Sequence, residues 1–287
     1  MQVDLQKHRF TDSLPIEMLE AYNTAEMSEA PCKLCKEHPE LKGRRIHFHG
    51  SDVGACPRQT YFKMIQGHQT KEVGTKAAFL QDGHLHEHMM LQAISNKFNV
   101  WMPKNEAELR LHVPILESEE RTTEFMSDFG KTAALQNGTR KFLIIGHIDG
   151  ALIVKSSERL EHKTMPGVYH LAEKDFLFLL ECKSVKDYTW DKVKKGEISD
   201  TWYGQMQTYM FMLETDRSYL LVKHRNTSEL MLPIRVDFDS EWFNKKLRML
   251  SQIFRMINLG QEVPKPGNRK ATDSDCKFCN FKDRCYI

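Results

Sequence analysis

Near the middle of the chain, the run Phe176-Leu177-Phe178-Leu179-Leu180 is followed at once by Glu181, Cys182 and Lys183. Five apolar residues in succession predict a buried β-strand. Residues two apart on a strand face the same side, so Glu181 and Lys183 project together and Cys182 points the other way. A charge buried there is costly unless it is paired or binds a metal. A Glu–Lys pair at a frayed strand end would meet that condition unaided. A second acid has the same setting: Asp149 closes the apolar run 142–148, between Gly146 and Gly150, which permit close backbone approach. Two carboxylates at the ends of neighbouring strands repel. A divalent cation relieves the repulsion, and oxygen ligands suit hard Mg²⁺ or Mn²⁺.

Other residues could serve such a centre. The segment 74–98 is expected to be helical, and His86 shares its inward face with Phe79, Met90 and Ala93; a satisfied core histidine is the plainer interpretation of that position alone. Gln205 and Tyr209 stand at i and i+4 of a helix expected over 199–215, so they share a face, with Ser199 or Asp200 as N-cap. Arg140/Lys141, Lys183/Lys186 and Lys192/Lys194/Lys195 are basic clusters, either solvated surface or, with Trp190, Trp202 or Tyr203, a groove for a single nucleic-acid strand.

The seven cysteines stand at 32, 35, 56, 182, 276, 279 and 285. No apolar run approaches the ~20 residues that span a bilayer, and residues 1–15 lack the apolar core of a secretory signal. A cytoplasmic setting with reduced thiols is therefore expected, and metal rather than disulfides. Cys276-x2-Cys279-x5-Cys285 with Cys56 supplies four thiolates for zinc or a 4Fe–4S cluster, and spacing alone does not choose. Cys32 and Cys35, with His38 or with His47 and His49, could form a small second zinc site. Cys182 reads as a small buried hydrophobe.

The elements that must position these groups are legible in outline. With 40% hydrophobic and 28% charged residues, the chain is that of a globular protein. Its net charge of +2 requires any nucleic acid to be met by a local basic groove. Helices are expected at 13–30, 74–98, 199–215 and 239–260, with Asp239 or Ser240 capping the last and Gly260 ending it. Strands are expected at 108–116, 141–154, 175–185, 218–224 and 230–238, the last two as a hairpin. The polar stretch 155–174 reads as a long arm. Three parts follow: an N-terminal extension (1–51), a core (52–260) and a cysteine tail (261–287). Helices and strands in this order suit an α/β fold with a central mixed sheet.

Taken in order, His86 in "GHLHEHM", Asp149 in "GHIDG", Glu181-x-Lys183 in "ECKS" and Gln205-x-x-x-Tyr209 in "QMQTY" resemble the RecB-like branch of the PD-(D/E)xK nucleases, across residues 74–215. Gly83 stands closer to the helix histidine than in many members, leaving His84 as an alternative; the inward face favours His86. The resemblance implies a restriction-endonuclease-like core and a catalytic Mg²⁺ or Mn²⁺ held by His86, Asp149, Glu181 and the backbone carbonyl of Cys182. Lys183 would orient the attacking water or stabilise developing charge, with Gln205 and Tyr209 in support. The four cysteines resemble those of the iron–sulfur nucleases of this branch, the CRISPR-associated single-strand exonucleases and AddB-type recombination nucleases. They imply a 4Fe–4S cluster at Cys56, Cys276, Cys279 and Cys285, with zinc as runner-up. The implied activity is hydrolysis of DNA as an exonuclease on single-stranded ends, 5′→3′ by family habit. A catalytically silent DNA-binding scaffold, an RNA-directed nuclease and an adaptation-complex subunit are the competing expectations.

Overall fold

The computed structural model describes residues 26–27, 47–66, 72–73, 75–96, 98–102, 107–114, 122–126, 141–154, 176–267, 269–277 and 279–286. Two sheets carry the fold. A five-stranded mixed sheet runs β11 (Ile234–Asp237), β10 (Arg217–His224), β9 (Phe176–Val185), β8 (Gly150–Val154), β4 (Val100–Trp101). Within it β9 and β10 are parallel and the other pairs antiparallel. A four-stranded sheet runs β2 (His47–His49), β7 (Lys141–Ile148), β5 (Ala107–Pro114), β6 (Thr122–Met126). A two-stranded ribbon joins β1 (Glu26–Met27) to β3 (Glu72–Val73).

Helices fill the space around and between these layers. In chain order they are α1 (Pro57–Gln66), α2 (Thr75–Ser95), α3 (Asp187–Lys194), α4 (Asp200–Met212), α5 (Ser240–Asn258), α6 (Ser274–Lys277) and α7 (Lys282–Tyr286). Helix α4 is enclosed: its Met206, Tyr209 and Met210 join Phe142, Ile144 and Ile148 of β7 and Leu179, Leu220 and Val222 of the mixed sheet in one core. On the opposite face of that sheet, Met90 and Leu91 of α2 pack with Leu180, Cys182 and Leu221. The alternation of β9 thus sends Leu179 toward α4 and Leu180 and Cys182 toward α2, as a period of two demands.

Local chemistry accounts for the helix ends. Ser199 caps α4 by accepting from the Trp202 N–H at 3.2 Å. Asp239 does the same for α5 from Trp242 at 2.9 Å. Buried Phe243, Leu247, Leu250 and Ile253 lie three and four apart on α5, the spacing of one apolar stripe, and Gly260 leaves the helix at φ +67°. Inside the core, Gln207 donates to the Asp237 carbonyl at 2.8 Å and accepts from the Asp239 N–H at 2.7 Å, tying α4 to the β11–α5 turn.

The mixed sheet with flanking helices agrees with the sequence expectation, but three expectations need correction. The run 141–154 is not one strand; it breaks at Asp149 into β7 and β8, which belong to different sheets. Glu26–Met27, inside the helix expected over 13–30, is a strand, paired with Glu72–Val73; the rest of 13–30 lies outside the described residues. The apolar stretch 230–238 forms a strand only at Ile234–Asp237. Helices α1 and α3, strands β2, β3, β4 and β6 and the two short tail helices were not anticipated. The arm 155–174 lies outside the described residues.

The tightest packing is backbone on backbone. A Cβ on Gly54 would collide with the Asp200 carbonyl, and one on Gly204 with the Gly54 backbone. Neither side can swing away, so Gly204→Ala should lower stability by about 1–3 kcal/mol through overpacking. The check is a lower urea midpoint at unchanged slope.

Candidate active site

The site begins where β7 becomes β8. The β8–β9 ladder ends at the pair Gly150–Leu180, because the chain turns at Asp149 into the other sheet. Beside Glu181 there is consequently no neighbouring strand on that edge. Asp149 fills part of the gap, accepting from the Cys182 backbone N–H at 2.8 Å. The turn depends on close approach at Gly150, where a Cβ would stand 3.0 Å from Leu91 Cδ2.

Glu181 is completely buried. Its Oε1 accepts from Lys183 Nζ, while Oε2 has no hydrogen-bond partner. Burial first, and the Asp149 charge second, push its pKa up to about 8 against the opposing pull of Lys183, with Glu87 adding to the rise. Burial works against the charge on Lys183, yet Glu181, Asp149 and Glu87 outweigh it and hold the amine protonated. Cys182, on the other face, is a fully buried thiol whose pKa is raised by burial.

Tyr209 and Gln205 of α4 support this corner. The Tyr209 ring lies flat over two glycines: a Cβ on Gly146 would strike it, and one on Gly50 would come within 2.7 Å of Cε1. The phenol oxygen accepts from the His147 N–H at 3.2 Å and from Gln205 Nε2 at 3.2 Å. Burial, then Glu181 and Asp149, raise the Tyr209 pKa, so the phenol stays neutral. It pins the backbone two residues before Asp149.

Helix α2 presents two adjacent columns to the sheet. His86 is only slightly exposed and faces inward, as the sequence predicts. Its Nδ1 lies 3.0 Å from Lys223 Nζ and its Nε2 3.3 Å from Asp82 Oδ1. Lysine can only donate, so Nδ1 accepts and Nε2 carries the proton toward the aspartate. Arg225 continues the network, 3.3 Å from Asp82 Oδ2 and bonded to Ser184. His84 is 64% exposed and pairs with Glu87 at 3.2 Å. Glu87, one residue beyond His86, is the group of α2 that interacts with Asp149 and Lys183. Its pKa is raised by burial first and by Asp149 next. Sequence reasoning missed Glu87 and Lys223; the step of one residue around a helix, about 100°, separates the two columns and was the signal available. Among the described residues no group of three or more His, Cys, Asp or Glu side chains is arranged to hold a metal ion as it stands.

A second centre lies at the tail. Cys56, Cys276, Cys279 and Cys285 all line one cavity of about 490 Å³, with Lys192, Lys265, Arg269, Lys282, Trp202 and Tyr286 among its other walls. All four thiols are free. Burial raises the Cys279 pKa, and Cys285, Cys56 and Cys276 add to the rise. The tail is anchored to α1 by Arg58, which donates to the Val263 carbonyl at 2.9 Å and pairs with Glu262 at 2.7 Å. Phe281 stacks on Phe62 at 5.5 Å.

Of the N-terminal zinc candidates, Cys32, Cys35 and His38 lie outside the described residues. His47 is completely buried on β2, and its Nε2 stands 3.3 Å from that of His49. Among the basic groups, Lys192 lies over Tyr188 at 5.0 Å and Lys194 over Trp190 at 5.2 Å. Arg140 lies outside the described residues.

No family model matches the chain, and no curated protein matches it significantly. Its structure is similar to that of a solved protein named SSO0001, with TM-score 0.47, 11% identity, and 96% of this chain and 98% of that one covered. It is also similar to an alkaline exonuclease, LHK-Exo, from Laribacter hongkongensis, with TM-score 0.42, 15% identity, and coverage of 76% and 93%. The same exonuclease in complex with dAMP matches with TM-score 0.40, 14% identity, and coverage of 78% and 94%. Among the described residues, no helix is long and apolar enough to cross a membrane.

The buried acid makes stability depend on pH. Glu181 keeps its proton to about pH 8 in the fold, against an ordinary value of 4.5. Between those values the folded chain binds more protons than the unfolded one, so stability falls as pH rises through that window. Urea unfolding in chelator should show this fall in the wild type and a flatter profile in Glu181→Gln. Parallel profiles would contradict the assignment.

Proposed function

We propose that the protein is a metal-dependent DNA nuclease of the RecB-like PD-(D/E)xK type, with Asp149 and Glu181 holding Mg²⁺ or Mn²⁺ and Lys183 as the catalytic cation. The observation that carries this reading is the completely buried Glu181 carboxylate with one unpartnered oxygen. A buried, unsatisfied carboxylate beside a second acid is costly to keep, and a hard cation satisfies both acids at once. When bound, such an ion lowers the pKa of a water and neutralises charge on a phosphate.

The chain's own residues do the rest. Lys183, held protonated by its acidic neighbours, offers an ammonium to the phosphate oxygen on which charge develops. Tyr209, clasped by Gln205 and the His147 N–H, fixes the strand that delivers Asp149. Single-stranded DNA ends are the proposed substrate, with Trp202 and the lysines of α3 as stacking and phosphate contacts. The four cysteines around one cavity support a 4Fe–4S cluster that fastens the tail. The pair of histidine nitrogens at His47 and His49 supports the proposal of a second zinc site with Cys32 and Cys35.

End-labelled single-stranded DNA, duplex DNA and RNA, each with Mg²⁺ or Mn²⁺, test the activity. Single-stranded DNA should be shortened from its ends, and Asp149→Asn or Lys183→Met should slow cleavage by about 10²–10³-fold with unfolding midpoints near wild type. Undiminished cleavage by a variant carrying both changes would overturn the reading. Protein purified without oxygen should carry iron and absorb across the visible region, and Cys279→Ser should lose both. A colourless protein loaded with zinc would replace the cluster by a single ion.

A further inference from the structure

We infer that Lys223 and Arg225, at the carboxyl ends of β9 and β10, form a site for one phosphodiester group of a single DNA strand. The anion site follows from the local charges; its ligand, a DNA phosphate, rests on the nuclease reading. The starting point is a cation without an acid. Lys223 is 8% exposed, and among the described residues the partner of its ammonium is His86 Nδ1 at 3.0 Å. An ammonium has three N–H donors, and Nδ1 takes one. Asp82, the carboxylate of this network, is committed elsewhere, 3.3 Å from His86 Nε2 and 3.3 Å from Arg225 Nε. With Nδ1 accepting, His86 is neutral, so two cations face one anion. A buried charge in excess is costly, and one monovalent anion removes the excess.

The position suits a ligand. Strands β9 and β10 are parallel and end side by side, Lys223 in register with Ser184 and His224 with Val185. Arg225 extends the ladder by one step, its N–H donating to the Val185 carbonyl at 2.8 Å. Its guanidinium turns to Ser184 and donates to the hydroxyl and the carbonyl, each at 3.2 Å. Open α/β sheets take their ligands outside the carboxyl ends of their strands. Lys183 stands one residue before Ser184 and projects to the opposite face. A DNA strand crossing this end of β9 thus meets Lys183 on one face and the Lys223–Arg225 pair on the other.

Room for the phosphate is left by Gly83. It lies within α2 (Thr75–Ser95), where glycine is less favourable than alanine. No clash demands it: outside its own helix, a Cβ there would meet Arg225 Nη2 at 4.0 Å and nothing closer. The absent side chain therefore keeps space over the guanidinium. Arginine's planar fork matches two phosphate oxygens, and lysine adds a point charge. A phosphodiester carries one negative charge, the complement of the single excess, whereas a phosphate monoester carries about −1.5 to −2. Asp82 competes with such an anion for Arg225.

Fluorescence anisotropy of a labelled oligothymidylate without terminal phosphates, titrated with the full chain in chelator, tests the assignment. Gly83→Leu fills the space and Arg225→Gln removes the fork; each should weaken binding at least about tenfold. Arg225→Gln should also reduce the salt slope by about 0.7, the share of one phosphate on a single strand. Asp82→Asn should tighten binding, which a purely structural network would not produce. Urea midpoints establish that each variant is folded, and Gly83→Leu leaves every bonded group in place. Wild-type affinity in Gly83→Leu, or no gain in Asp82→Asn, would overturn the inference. Displacement of the oligonucleotide by inorganic phosphate or oligoglutamate at equal concentration of charge would overturn the choice of ligand. Cleavage of end-labelled DNA with Mg²⁺ is scored on the same wild type. A chain that cleaves while its binding ignores Gly83 and Arg225 sinks only the inference. One whose binding depends on both yet cleaves nothing sinks only the nuclease.

Discussion

A carboxylate sealed from water with one oxygen unsatisfied is the constraint around which this fold is arranged. Glu181 occupies the position in β9 where an apolar residue would complete the core. Keeping a charge there costs more than a surface salt bridge returns, and Lys183 answers only one of its oxygens. The other oxygen is left without a hydrogen-bond partner. An apolar residue at 181 would give a more stable sheet.

The sheet is interrupted beside this group, because the chain changes sheets at Asp149 and the β8–β9 ladder ends at Gly150–Leu180. The cost of the change is met by close contacts on both sides. Leu91 closes on Gly150 from the α2 face, and Tyr209 covers Gly146 and Gly50 from the α4 face. The aromatic ring serves two ends at once, as a lid on the split and, through its oxygen, as a clasp on the His147 N–H. Side chains in place of these glycines would separate the layers that hold the acids together.

The strand Phe176–Val185 was legible because its apolar run and the alternation at Glu181, Cys182 and Lys183 are local signals that nothing in the tertiary structure overrides. The same holds for the caps at Ser199 and Asp239. The break at Asp149 was not legible: five apolar residues before it and four after read as one strand, and only pairing with two different sheets divides them. The inward face of α2 was read correctly at Met90 and wrongly at Ala93, which is exposed, and a periodic pattern does not tell which of two neighbouring columns meets the sheet edge. His86 and Glu87 differ by one step around the helix, and the strand each one reaches is a property of the sheet below. Cys56 was joined to the three tail cysteines because three thiols want a fourth, a count rather than a local pattern, and all four line one cavity.

The cysteine cavity and the acidic corner are not separate constructions. Cys56 opens α1, and two residues earlier Gly54 is wedged into the backbone of α4 at Asp200 and Gly204. Four residues earlier still, Gly50 lies under Tyr209. The short segment 50–56 therefore lines the cavity of the tail's thiols at one end and meets the ring that clasps Asp149's strand at the other. Tying the tail to Cys56 would close a loop of more than 200 residues and restrict the unfolded chain by roughly 5 kcal/mol in the loop-entropy model. It would also hold segment 50–56 against α4, so that the rigidity of a distant thiol centre is spent on the placement of Tyr209. Backbone packing at Gly54 and the aromatic ring over Gly50 carry that path, while Asp52 between them is held by Lys63 at 3.0 Å, so the segment is fixed from three sides.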